Sequence, residues 1–181
     1  MIDRVDLGVC PAYDYAGDGP TAIVLPGRML AGMPAVYFGF EPLLRNGWRV
    51  VLLWWEYLDT SQSPWEFVRE RAEAAIEHAG GADLLVAKSL GTHGAPIDLP
   101  AVWLTPLLAG APEIVDALRA RTAPSLFVGG TNDSAWDGAV ARELGEVLEL
   151  DGADHGLARF EDAPAIAAAV EAFSGRLSLR A

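Results

Sequence analysis

The stretch Leu84-Leu85-Val86-Ala87-Lys88-Ser89-Leu90-Gly91 (LLVAKSLG) runs apolar and then ends in a serine set between small residues. An unbroken apolar run, rather than an alternating one, is the mark of a strand covered on both faces. After Ser89 the chain is expected to turn straight into a helix. The small residues two before and two after it, Ala87 and Gly91, are what so sharp a strand-to-helix turn requires, because larger side chains would collide. Such a turn lifts the serine hydroxyl clear of the sheet. It also aims the first backbone N–H groups beyond it, notably that of Leu90, at the place where negative charge would develop on a substrate carbonyl.

Working outward, the same type of run recurs at Thr21 to Leu25, Trp48 to Trp54, Asp83 to Ala87, Ala101 to Thr105, Ser125 to Gly129 and Glu146 to Leu150. Segments with helical spacing lie between them. The last is the clearest: Ile166, Ala169, Val170 and Phe173 fall on one stripe. Pro64 opens another, with Trp65, Val68, Ala72, Ile76 and Ala79 recurring about once a turn. Ile114, Ala117 and Leu118 mark a third, and Pro34 to Asn46 a fourth, in which Pro42 predicts a kink or break. Gly91 to Pro96 is too short and glycine-rich for more than about two turns. Arg4 to Val9 is a further strand candidate at an edge, returning through the turn-rich Tyr13 to Pro20. The fold class predicted is α/β, a three-layer α/β/α sandwich with a mostly parallel sheet of about six strands, built as one domain over residues 1–181.

Composition narrows the function classes. The 181 residues carry 13 basic and 25 acidic side chains, a formal charge of −12, with 51% hydrophobic residues. A polyanion without a basic stripe is a poor partner for nucleic acid or an anionic membrane surface. Cys10 is the single cysteine, so neither an internal disulfide nor a cysteine-rich zinc site is available. The opening MIDRVDLGVC alternates charged and apolar residues unlike a secretory signal, and the longest strongly apolar run, Val50 to Trp55, is far too short to span a bilayer. A cytoplasmic location is expected. No glycine-rich phosphate loop follows a strand, the three histidines lack metal-ligand spacing, and Asp151 to Asp162 lacks the order of a calcium loop. No metal or other cofactor is expected.

In open parallel sheets, ligands gather beyond the carboxyl ends of the strands. Two further segments place reactive groups there: SLFVGGTND presents Asp133, and EVLELDGADH presents His155. Serine is a weak nucleophile at neutral pH. A neutral imidazole that takes its proton, oriented in turn by a carboxylate, activates it. His155 is the candidate base, since His78 belongs near a helix end and His93 is carried away from Ser89 by the helical turn. Asp133 is the candidate acid, Asp137 the alternative, and Asp154 is better suited to structuring its own loop. Lys88 admits a Ser-Lys pairing, but adjacent residues at a strand end face opposite ways, which favours a structural or surface role.

The order Ser89, Asp133, His155, together with the Ala87-Lys88-Ser89-Leu90-Gly91 turn, resembles the α/β-hydrolase superfamily over nearly the whole chain, from Thr21 to Phe173. It is most similar to small, capless bacterial members in which a Leu-Pro-Gly turn, here Leu25-Pro26-Gly27-Arg28, stands where larger relatives have His-Gly. That resemblance implies the Arg28 backbone N–H as a second oxyanion donor beside Leu90. Ala87 departs from the usual first glycine of the serine motif, and the helix after it is unusually short. A small-molecule acyl substrate, with a carboxylic ester as the default, is the expected partner. A non-catalytic binding protein and an acyl or thioester transferase on the same residues are the alternatives. Trp54, Trp55, Thr105, Pro106 and Leu107 are pocket candidates from their positions at strand ends, the Arg28 side chain is a possible contact for an acidic substrate group, and residues 28–40 are a candidate lid.

Overall fold

The computed structural model describes residues 1–29, 34–58 and 61–178. Eight strands form one sheet: β1 (Ile2–Asp6), β2 (Pro11–Tyr15), β3 (Thr21–Leu25), β4 (Arg49–Leu53), β5 (Leu84–Lys88), β6 (Ala101–Leu104), β7 (Ser125–Gly130) and β8 (Glu146–Leu150), in the spatial order β1-β2-β4-β3-β5-β6-β7-β8. Strands β3 to β8 are all parallel, and β1 and β2 add an antiparallel edge against β4. The six parallel strands fall on the six apolar runs; five of them lie inside the sheet, β8 forms an edge and buries only Leu150, and the sheet exceeds the expected count by its N-terminal hairpin. Of Tyr13 to Pro20, read from sequence as turn-rich, the first three residues belong instead to the strand Pro11–Tyr15. Its Ala12 is fully buried, and Asp14 accepts both Arg49 Nε (3.1 Å) and Arg49 Nη2 (2.7 Å) from the neighbouring strand. Those two bonds, and a third contact from His78 at 3.0 Å, hold the Asp14 carboxyl below its ordinary pKa.

Helices cover both faces. On one, α1 (Ala35–Arg45) and α5 (Ala163–Ser178) bury Val36, Phe38, Phe40, Leu43, Ile166, Val170 and Phe173 against Val24, Val50, Val86, Val102 and Val128 of the sheet. On the other, α2 (Pro64–Ala79), α3 (Pro112–Arg119) and α4 (Gly138–Leu144) cover Ile23, Val51, Leu85, Trp103 and Phe127. Successive residues of the interior strands alternate between these two cores, as a pleated strand requires. Among the described residues no helix is long and apolar enough to cross a membrane.

Helix α1 runs unbroken through Pro42, so of the expected kink or break the break does not occur. An interior proline costs about 3 kcal/mol. Each large apolar side chain that α1 buries contributes about 1.5–3 kcal/mol, and Val36, Phe38, Phe40 and Leu43 are all buried. The balance favours the continuous helix. Pro42 also stands in the last turn, where its carbonyl accepts both the Asn46 N–H (3.2 Å) and Asn46 Nδ2 (2.8 Å), closing the end.

Candidate active site

Strand β5 delivers the serine. Directly after it, Ser89–Gly94 forms a single short 3₁₀ helix, and Ser89 itself adopts φ 48°, a conformation that costs an ordinary residue energy and is kept where the surroundings enforce it. Gly91 shows what enforces it. A β-carbon there would stand 2.7 Å from the Leu25 carbonyl oxygen and 3.3 Å from the Ala87 β-carbon, so the turn packs directly onto β3. Thr92 Oγ1 donates to the Ser89 carbonyl oxygen at 2.5 Å, which ties the short helix back on its own start.

The carboxyl ends of β7 and β8 bring the other two groups to this turn. His155 Nε2 lies 2.8 Å from Ser89 Oγ, and His155 Nδ1 lies 2.9 Å from Asp133 Oδ2. With Nδ1 protonated and donating to the carboxylate, Nε2 is left to accept the serine hydroxyl hydrogen. The Asp133 side chain is 1% exposed. Burial pushes its carboxyl up, but the hydrogen bond from His155, the Ala135 N–H on Oδ1 at 2.9 Å and the charges of His155 and Lys88 outweigh this and hold it below its ordinary value. Asp133 is thus a committed anion behind the imidazole. Asp137, the alternative acid, caps α4 instead, its Oδ1 accepting the N–H groups of Ala139 and Val140. Asp154 structures its loop by accepting the Gly156 N–H at 2.9 Å. His78 pairs with Asp14, and His93 is buried with Nδ1 on the Leu90 carbonyl and its ring edge-on to Trp65.

The Leu25-Pro26-Gly27-Arg28 turn follows β3 beside the serine, and two residues not foreseen in this role fix it. Trp55 Nε1 donates to the Gly27 carbonyl at 2.8 Å. Tyr57 N–H donates to the Arg28 carbonyl at 2.9 Å, and Arg28 Nε donates back to the Tyr57 carbonyl at 3.1 Å. Bonding its carbonyls in this way fixes the turn, and Gly27 and Arg28 line the same cleft as Ser89. For Trp55 the sequence signal was the indole N–H of a buried aromatic, which must find an acceptor; Tyr57 acts through its main chain, and its side chain carried no signal.

The cleft at Ser89 has a volume of about 270 Å³ and is lined by Gly27, Arg28, Met29, Lys88, Ser89, His155 and Gly156. None of the five expected pocket residues lines it. Trp55 packs into the core against Phe67, and Trp54 meets the edge of Tyr13 on β2. Thr105 and Pro106 are buried, and the Leu107 N–H faces Thr92 Oγ1. Thr105 to Leu107 leave β6, which β5 and β7 flank, and Trp54 and Trp55 leave β4, which β2 and β3 flank, so these strand ends feed packing instead of the cleft. Of the expected lid, residues 30–33 lie outside the described residues. Met29 is exposed at the cleft and residues 35–40 begin α1. Burial pushes the Cys10 thiol up to about 11, so the lone cysteine is protonated at neutral pH.

No protein-family model matches the sequence, and no curated protein matches it. Solved structures do match. Est1E from Butyrivibrio proteoclasticus, in its complex with ferulic acid, superposes with a TM-score of 0.77 over 99% of this chain and 100% of its own, at 13% identity. The chain has the α/β-hydrolase fold. The esterase domain of a Rhodothermus marinus protein gives a TM-score of 0.74 at 16% identity, covering 97% of this chain and 99% of that one. XC6422 from Xanthomonas campestris, described as an α/β serine hydrolase without a lid, gives 0.70 at 15% identity, covering 97% and 94%. In this α/β-hydrolase fold the serine turn, the acid and the histidine loop occupy the ends of β5, β7 and β8.

Proposed function

We propose that this protein is a serine hydrolase that cleaves small carboxylic esters through an acyl-enzyme. The observation that carries the reading is the continuous Asp133–His155–Ser89 relay, at 2.9 and 2.8 Å, built on a serine held at φ 48°. Ser89 Oγ attacks the ester carbonyl carbon as its proton passes to His155 Nε2. The Arg28 and Leu90 N–H groups receive the charge that develops on the carbonyl oxygen. The tetrahedral intermediate collapses, the bond to the leaving alkoxide breaks, and His155 returns the proton to that oxygen. Water, activated by the same imidazole, then attacks the Ser89 ester and releases the acid. Asp133 stays ionised throughout and stabilises the imidazolium of each half-reaction.

At about 270 Å³ the cleft is slightly smaller than the usual range for ligand pockets, which favours short acyl chains. Structural neighbours that are esterases give the reading further support. The test is a chain-length series of p-nitrophenyl esters. Turnover is expected to fall as the acyl chain lengthens, with Ser89→Ala inactive on every member. A protein inactive on all chain lengths, or a Ser89→Ala variant as active as the wild type, would overturn the proposal.

A further inference from the structure

We infer that Lys88 is a positioning residue for the proposed reaction, its buried ammonium gripping the main chain of the catalytic histidine so that the imidazole stays seated over Ser89. The kinetic consequence rests on the serine-hydrolase reading; the structural one does not. Lys88 is the only lysine among 13 basic residues, and it directly precedes the serine. It is 4% exposed. Its stem passes Gly27, with Cδ 3.8 Å from where a β-carbon of that glycine would stand, and its Nζ donates to the His155 carbonyl oxygen at 3.0 Å. One side chain therefore spans from the nucleophile strand, past the Gly27-Arg28 turn, to the histidine loop.

Burying an ammonium is costly unless a carboxylate compensates it. Among the described residues none forms an ion pair with Lys88, and Asp133 and Asp154 act on it only from a distance. An apolar side chain of similar length would fill the same space at less cost, so a purely space-filling role does not account for a lysine here. Lysine is a compact point donor that fits a single carbonyl, and here its one bond goes to His155.

Other bonds hold the loop nearby: the Asn132 N–H donates to the Ala153 carbonyl at 3.0 Å and Arg159 Nη2 to the Asp151 carbonyl at 2.8 Å. Among the described residues only Lys88 grips His155 itself by its main chain. The distinction matters during the cycle. Once Ser89 is acylated, its Oγ is an ester oxygen with no proton to donate, and the ring loses the bond that held it from the serine side. The Lys88 bond is indifferent to acylation, so it keeps Nε2 in place to activate water.

The test compares Lys88→Met, which keeps the stem and removes the donor, with the wild type in three measurements. The melting temperature is expected to stay level or rise, since a costly buried charge is gone. With only three histidines in the chain, the His155 ring resonance can be followed by NMR and is expected to broaden or split. On an ester substrate kcat is expected to fall about 10- to 100-fold, the scale of a small misplacement, while KM does not rise. Lys88→Gln, which keeps a donor on a shorter stem, serves as the second variant and should fall between. A sharp His155 resonance at the wild-type position in Lys88→Met overturns the inference, and so does a lowered melting temperature with that resonance unchanged, which would make Lys88 structural only. If the wild type turns over no ester, the hydrolase reading fails while the NMR comparison still decides whether Lys88 places the ring.

Discussion

Replacing His155 by alanine is expected to lower kcat by about 10⁴- to 10⁶-fold while leaving the fold intact. The ring is 41% exposed, so its loss opens little of the core, yet it removes the only group within hydrogen-bond reach of Ser89 Oγ among the described residues. Asp133→Asn should cost about 10⁴-fold by a different route. Oδ1 of residue 133 accepts the Ala135 N–H at 2.9 Å, so an asparagine keeps its oxygen there and turns its NH₂ toward His155. Nδ1 must then accept, the ring proton moves to Nε2, and the imidazole can no longer take the serine hydrogen. Because the two residues act as one unit, the double variant is expected to be no slower than His155→Ala alone. Steady-state kinetics on one ester checks all three, and a double variant slower by the product of the single effects would show that they act independently.

The second large effect is expected at Gly91. Its missing β-carbon is the space that lets the serine turn lie on β3: Gly91→Ala would put that carbon 2.7 Å from the Leu25 carbonyl oxygen and 3.1 Å from the Leu25 β-carbon. Both are fully buried, so backbone must move. Overpacking of this kind costs about 1–3 kcal/mol, which in a chain of this length lowers the melting temperature by roughly 2–12 °C. The displaced turn carries Ser89 with it, and kcat should fall about 100-fold as well. Gly175 is the control. It lies in α5 with open space where a β-carbon would go, so Gly175→Ala should stabilise by about 0.5–1 kcal/mol and leave kcat unchanged. Equal melting temperatures for the two variants would show that the Gly91 contact is not tight.

What the sequence could reveal followed from where the physics is local. Ser89, Asp133 and His155 were legible because each stands just past an apolar run, and parallel strands put such positions at one edge. The stripe of Ile166, Val170 and Phe173 was legible from spacing and is buried as spacing predicts. The N-terminal hairpin was legible only in part: the expected edge strand Arg4 to Val9 lies at Ile2–Asp6, and Tyr13 to Tyr15, read as turn-rich, are strand because they pair with β1 and β4. The continuity of α1 through Pro42 rests on tertiary burial that outweighs a local penalty. Trp55 was read as a pocket wall since its position at a strand end was visible, while its acceptor, the Gly27 carbonyl 28 residues earlier, was not. The Lys88 contact with His155 spans 67 residues and is likewise silent in sequence.

The relay predicts a serine hydroxyl far more reactive than an ordinary one. Intact-mass analysis after treatment with a fluorophosphonate, on the wild type and Ser89→Ala side by side, tests this most directly. The expected result is one phosphonyl adduct on the wild type and none on Ser89→Ala. A folded wild type that takes no adduct, or a Ser89→Ala variant that still takes one, would contradict the assignment of Ser89 as an activated nucleophile.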